Sequence, residues 1–304
     1  MKDEDLATIK GYLDKTGPLI ADIEKVRSSQ VLVFICDTSI DISCAYRINK
    51  IVRKLKTEEK LDLLMESAGG DIDAASKVVK ILRENSKKLA TIVPFYAKSA
   101  ASLLAISSDE LIMCKGADLG PIDPQVKDPI SGAWVPAHSI KEALAFIEGV
   151  RDPLVKLSLS DRLPPLLIGA YRDAQNAGKQ YIREAIEASL PEGDKREAAI
   201  STFTERFLSH GYPIDRRLCK QVLPNVTFPD ADLEDKICEL HEIYEDLMIH
   251  IARTNRRPKR PPLTEDEEIA MEMEEGLLLV QADDTKCVVV NGEDITEQLH
   301  EIKL

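Results

Sequence analysis

Short apolar runs alternate with amphipathic stretches along the first third of the chain. Val31 to Cys36 (VLVFIC) is unbroken apolar sequence, the pattern of a strand buried on both faces. Leu61 to Met65, Leu89 to Val93 and Glu110 to Met113 predict three further strands. Between them, Ser43 to Leu55 is amphipathic and ends in basic residues, which suits the negative end of a helix dipole. Asp71 opens a second helix that places Ile72, Ala75, Val78, Val79 and Leu82 on one face. An apolar stretch from Ser99 through Ile106 predicts a third. Upstream, Leu6, Ile9, Leu13, Ile20 and Ile23 mark a helix over residues 4 to 26, which Gly17-Pro18 is expected to interrupt. Strand and helix in alternation at this spacing imply right-handed crossovers and a parallel sheet, hence an α/β fold.

Beyond residue 138 the pattern changes. Ser139 to Phe207 reads as mainly helical, broken at Pro153, Pro164-Pro165 and Pro191. Asp230 to Ala252 predicts a long helix. Arg253 to Pro262 is a basic, proline-containing linker, and Thr264 caps an acidic helix running to Glu275. Leu277 to Val280 and Cys287 to Val290 flank Asp283-Asp284 as a hairpin. The expected division is a core over residues 1–228, a helix and linker over 229–262, and an acidic helix with a small C-terminal hairpin as an appendage over 263–304.

Composition narrows the function classes. The 304 residues carry a net charge of -13, which argues against nucleic-acid or anionic-membrane partners, since both need a basic face. No basic-then-apolar leader opens the sequence and no apolar run is long enough to span a bilayer, so a cytoplasmic protein without a membrane span is expected. The six cysteines form no CxxC pair, which fits free thiols in a reducing compartment. The five histidines lack metal-ligand spacing. His241 and His250 lie on one helical stretch but not on one face. Neither a metal site nor a cofactor is expected. Tyr46 and Tyr244 read as packing residues.

The chemistry is expected in Leu63 to Gln125, where two strand-to-helix turns follow one another. One contains Gly69-Gly70, the other Ser99. In a parallel sheet both lie at the carboxyl edge, where open α/β sheets bind ligands. Glycine lets backbone N–H groups approach a substrate, and a serine at the first turn of a helix stands beside unpaired donors. A hydroxyl facing amides from two turns is the minimum for acyl transfer. The competing interpretation is that Ser99 is a helix cap and Gly69-Gly70 a plain turn.

Val93 to Gln125, VPFYAKSAASLLAISSDELIMCKGADLGPIDPQ, resembles the central motif of the serine dehydrogenase proteinase family, relatives of the Clp protease proteolytic subunit and of signal peptide peptidase A. Glu66-Ser67-Ala68-Gly69-Gly70 is similar to that family's Thr-Pro-Gly-Gly turn, and His210-Gly211-Tyr212-Pro213-Ile214 to its His-x-Tyr-Pro-Ile segment. The resemblance covers roughly residues 30 to 225. It implies a Clp/crotonase-like ββα spiral that self-associates and a serine endopeptidase in which Ser99 attacks a peptide carbonyl. Oxyanion donors would be the N–H groups of Gly69 or Gly70 and of Ala100. Two departures stand out: Phe95 occupies a position where the family carries histidine, and Ala100-Ala101-Ser102 replaces a Gly-Gly type pair.

The general base is the open point. Clp-type subunits carry a histidine about two dozen residues after the serine, but here that region reads Gly120-Pro121-Ile122-Asp123-Pro124. His210 is the first candidate, with Asp123 as a group that could orient it. A lysine base, as in signal peptide peptidase A relatives, would be Lys127, Lys156 or, last, Lys98. His138 is a weaker candidate. The expected partners are a peptide or protein substrate, further copies of the chain in a homo-oligomer, and an unidentified regulator. The rivals are a crotonase-like acyl-CoA enzyme and a catalytically inactive scaffold.

Overall fold

A computed structural model of the chain describes residues 3–55, 59–127, 132–137, 139–163, 165–254, 277–282, 285–290, 293–294 and 296. The acidic stretch Thr264 to Glu275, most of the basic linker, and His138 lie outside them. In chain order the first half runs α1 (Asp3–Arg27), β1 (Gln30–Cys36), α2 (Ile42–Val52), β2 (Lys60–Ser67), α3 (Ile72–Glu84), β3 (Lys88–Val93), β4 (Tyr96–Ala97), α4 (Ala100–Ile106), β5 (Glu110–Met113) and β6 (Asp118–Leu119). A two-stranded hairpin, β7 (Gln125–Lys127) and β8 (Trp134–Pro136), leads into α5 (Ser139–Gly149), α6 (Pro153–Ser160), α7 (Pro165–Ala185) and α8 (Asp194–Thr204). The rest is β9 (Ile214–Asp215), α9 (Arg216–Val222), β10 (Val226–Thr227), α10 (Ala231–Thr254), β11 (Leu277–Ala282), β12 (Thr285–Val290) and β13 (Glu293–Asp294).

The main sheet runs β10-β5-β3-β2-β1-β11-β12-β13. Its first four pairings are parallel, as the crossovers demand. Near its carboxyl end the sheet forks. Ser67, the last residue of β2, pairs with Ala97 of β4, β4 pairs with β6, and β6 pairs antiparallel with β9. The result is a curled, mainly parallel α/β sheet. The C-terminal hairpin is hydrogen-bonded into this sheet through the antiparallel pairing of β1 with β11. It extends the central sheet instead of standing apart from it.

Helices cover both faces. Side chains of β1 alternate as VLVFIC predicts: Leu32 and Phe34 pack with α2, α3 and α4, whereas Val31, Val33 and Ile35 pack with α1 and α10. The interruption expected at Gly17-Pro18 does not occur, because α1 runs on through Pro18. Proline removes one hydrogen bond, but Leu6, Ile9, Leu13, Ile20 and Ile23 are all buried in the layer shared with α10, and that continuous contact holds the helix together. Tyr244 is fully buried there, as expected, but Tyr46 is 71% exposed and packs nothing away. At the amino edge, Arg27 bonds Asp62 at 2.7 Å and Glu110 at 2.6 Å, tying the end of α1 to β2 and β5. Among the described residues, no helix is long and apolar enough to cross a membrane.

Candidate active site

The fork in the sheet lays the two turns side by side. A Cβ added at Gly69 would stand 2.8 Å from Cβ of Ser99 and 3.1 Å from N of Ala100, so no side chain fits between them. Gly69 and Gly70 have φ of 108° and 149°, values that favour glycine. Asp71 then caps α3 by accepting from Asp73 N and Ala74 N.

Ser99 has φ 51° and ψ -122°, left-handed backbone that a non-glycine residue adopts only at a cost. It precedes α4 but does not cap it, since its side chain accepts no hydrogen bond from the helix. Among the described residues its hydroxyl has no partner, and it is half-buried. The plain capping interpretation is therefore not what this backbone does. Strain is held instead by neighbours. Lys98 N donates to the Ser67 carbonyl at 3.0 Å and Ser102 N to the Ser99 carbonyl at 2.9 Å. The buried Ser102 hydroxyl donates to the Ala97 carbonyl at 2.6 Å and accepts from Gly120 N at 2.9 Å. Ser102 is a positioning residue that the sequence did not single out.

The three candidate oxyanion amides differ. Gly69 N is spent on the Ser67 hydroxyl at 3.1 Å. The amides of Gly70 and Ala100 have no hydrogen-bond partner among the described residues, although the Gly69 carbonyl and the Asp71 amide beside Gly70 are both bonded to Ile40. Two donors from adjacent turns are thus unspent next to an unpartnered hydroxyl, which is chemically suited to stabilising an oxyanion.

His210 and Asp123 meet. The β6–β9 register sets Asp118 against Asp215 and Leu119 against Ile214; continued outward, it brings Asp123 opposite His210. The loop is braced by Phe207 and Tyr212, whose rings stack at 3.9 Å, and by Tyr212 N bonding the Ser209 carbonyl. His210 Nδ1 is paired with the Asp123 carboxylate, which is 4% exposed, and Gln125 Nε2 lies 3.2 Å from the same nitrogen. Nε2 has no partner among the described residues. The carboxylate fixes the ring's tautomer and orientation, as an orienting acid does. His210 is not in hydrogen-bond contact with Ser99.

The lysines are placed otherwise. Lys98 is ion-paired with Asp118 and donates to the Leu119 carbonyl. Lys127 is exposed at the end of β7, opposite Trp134. Lys156 donates to the Glu148 carbonyl on an exposed helix. A cavity of about 350 Å³ lies between α3, α4 and α7; its lining residues Leu103, on α4, and Ser107, which follows it, lie beyond the turn that carries Ser99.

Residues 15–268 match the family described as ClpP-like SDH-type serine proteinase. Two proteins of Methanocaldococcus jannaschii are similar in sequence. The uncharacterized protein MJ1495 is 26% identical over 237 residues, 74% of this chain and 75% of its own. The uncharacterized protein MJ0137 is 26% identical over 206 residues, 68% of this chain and 66% of its own. Among solved structures, ClpP1 from Listeria monocytogenes is 12% identical with a TM-score of 0.40, covering 66% of this chain and 94% of that one. A mutant of the 1510-N membrane-bound stomatin-specific protease is 16% identical with a TM-score of 0.44, covering 68% and 84%. With the family matched over most of its length, the chain belongs to the ClpP-like SDH-type serine proteinases.

Proposed function

We propose that the protein is a serine endopeptidase that cleaves peptide or protein substrates through an acyl-enzyme on Ser99. The carrying observation is the strained backbone of Ser99, which holds an unpartnered hydroxyl beside the unspent amides of Gly70 and Ala100. Ser99 Oγ attacks the scissile carbonyl and His210 Nε2 takes its proton, with Asp123 stabilising the imidazolium that forms. The amides of Gly70 and Ala100 bind the oxyanion, and the protonated His210 then returns its proton to the leaving amine. Water repeats the sequence to release the acyl group. Catalytic hydrogen bonds are often long before substrate binds, and this reading requires His210 Nε2 to come within reach of Ser99 Oγ in the substrate complex. No cofactor takes part.

The working particle is a homo-oligomer in the cytoplasm. Exposed apolar side chains on consecutive helices support self-association: Phe146 on α5, and Leu154, Val155 and Leu157 on α6, which buries nothing within the chain. Any regulator is a separate partner. The inactive-scaffold reading draws on one observation, the missing contact between His210 and Ser99. Hydrolysis of an unfolded protein substrate separates the two: cleavage by the wild type that disappears in Ser99→Ala supports the peptidase, and no cleavage by a well-formed oligomer supports the scaffold. The acyl-CoA alternative has no clear basic cluster in the sequence near Gly69 or Ser99 to support it.

A further inference from the structure

A second cluster lies beside the same sheet edge, towards α10, away from α4. Glu66 is the last residue but one of β2, three residues before Gly69, and faces the layer formed by α1 and α10. His241 and Glu245 lie one turn apart on α10, a spacing that puts both on one helix face. His241 Nε2 is 2.6 Å from Glu66 Oε2 and 3.6 Å from Glu245 Oε1. One ligating atom from each of the three lies within 4.8 Å of the others.

The Glu66–His241 contact does not complete the site as an ion pair. Glu66 is 2% exposed, yet its second oxygen, Oε1, is shielded from solvent and has no hydrogen-bond partner. Buried carboxylate oxygens are ordinarily satisfied. Two carboxylates face one imidazole, and among the described residues no lysine or arginine is ion-paired with either. A bound cation would satisfy the Glu66 oxygen that the protein leaves without a donor.

We propose that Glu66, His241 and Glu245 bind one divalent transition-metal ion of the zinc type. One imidazole nitrogen with two carboxylates suits zinc, cobalt or manganese, whereas calcium and magnesium favour all-oxygen cages. Zinc–ligand distances of about 2.0–2.2 Å place neighbouring ligand atoms roughly 3.3 Å apart in a tetrahedron. The observed separations of 2.6 and 3.6 Å bracket that figure, so entry needs only small side-chain shifts. Bound metal clamps α10 to the strand that leads into the Gly69-Gly70 turn. The ring of Phe95 lies 6.2 Å from that of His241. No local spacing marks the site in the sequence, because Glu66 lies 175 residues before His241.

The test is calorimetric titration of chelator-treated, full-length protein with Zn²⁺, with melting temperature and Co²⁺ visible absorption alongside. One Zn²⁺ per chain, a rise in melting temperature and cobalt d–d bands without thiolate charge transfer are expected. Glu245→Gln, on the partly exposed side of α10, should keep the fold and weaken binding at least about tenfold; His241→Ala should abolish it. Four outcomes overturn the site: no binding by the wild type, undiminished affinity in Glu245→Gln and His241→Ala, equally tight binding of Mg²⁺ or Ca²⁺, or thiolate-to-cobalt charge transfer, which would put the ion on cysteine.

Discussion

The carboxylate of Asp123 holds Nδ1 of His210 across 87 residues of chain, and the opposite ring nitrogen has no partner among the described residues. That pairing follows from the antiparallel register of β6 and β9. In Ser-His-Asp enzymes the loss of the orienting acid with the imidazole retained costs about 10⁴ in kcat. Asp123→Asn is therefore expected to lower kcat for peptide hydrolysis by about 10³ to 10⁴ with KM nearly unchanged. A change confined to KM would show that the pair only shapes the binding surface.

Ser99 carries backbone strain that its own side chain does not relieve. Left-handed backbone at a non-glycine residue costs about 1–3 kcal/mol, and glycine avoids it at an entropic cost of roughly 0.5–1 kcal/mol. Both Ser99→Gly and Ser99→Ala lack the hydroxyl, so the comparison isolates the backbone. Denaturant unfolding should find the glycine variant about 1 kcal/mol more stable. A less stable glycine variant would mean that Ser99 is not strained in solution.

Much of the frame was legible because burial on both faces leaves a mark in sequence. VLVFIC and the spacing of Ile72, Ala75, Val78 and Leu82 state which faces are covered. The two turns could be paired because parallel strands put them at one edge. The short strands β4, β6, β9 and β10 were not visible, being two residues each with no periodicity to read. The positive φ of Ser99 left no trace either, since strain is imposed by the bonds of Ser67, Ser102 and Gly120 around it. Pro18 misled for a related reason: a local rule met a helix held by its whole apolar face.

The Arg27 cluster gives the fold a pH dependence. Asp62 is fully buried and bonded to Arg27, with Lys60 farther off at 4.0 Å; breaking a buried pair by removing one partner costs about 3–5 kcal/mol. Burial pushes the Glu110 carboxyl up, but the bond to Arg27 and its charge more than offset this and hold it below the usual carboxylate range. A lowered carboxyl stabilises the fold above its unfolded pKa of about 4.3. That contribution disappears as pH falls through the folded value. Urea unfolding of Arg27→Met should show the stability loss at pH 7 and a smaller further loss on acidification than the wild type shows. Equal acid sensitivity in both proteins would remove Arg27 from the explanation.

Helix α6 presents Leu154 and Leu157 at 79% and 60% exposure. A charge placed in an apolar interface is desolvated without a partner. Leu157→Glu is expected to shift sedimentation velocity from an oligomer to a smaller species while leaving the circular dichroism spectrum unchanged. A monomeric wild type, or an oligomer untouched by the substitution, would assign this face another role.

Covalent labelling addresses the nucleophile directly. Wild-type protein treated with a fluorophosphonate, digested and mapped by mass spectrometry should carry one adduct, on the peptide containing Ser99, and Ser99→Ala should carry none. A folded wild type that takes up no label, or a label that persists after Ser99→Ala, would contradict the assignment of Ser99 as the attacking group.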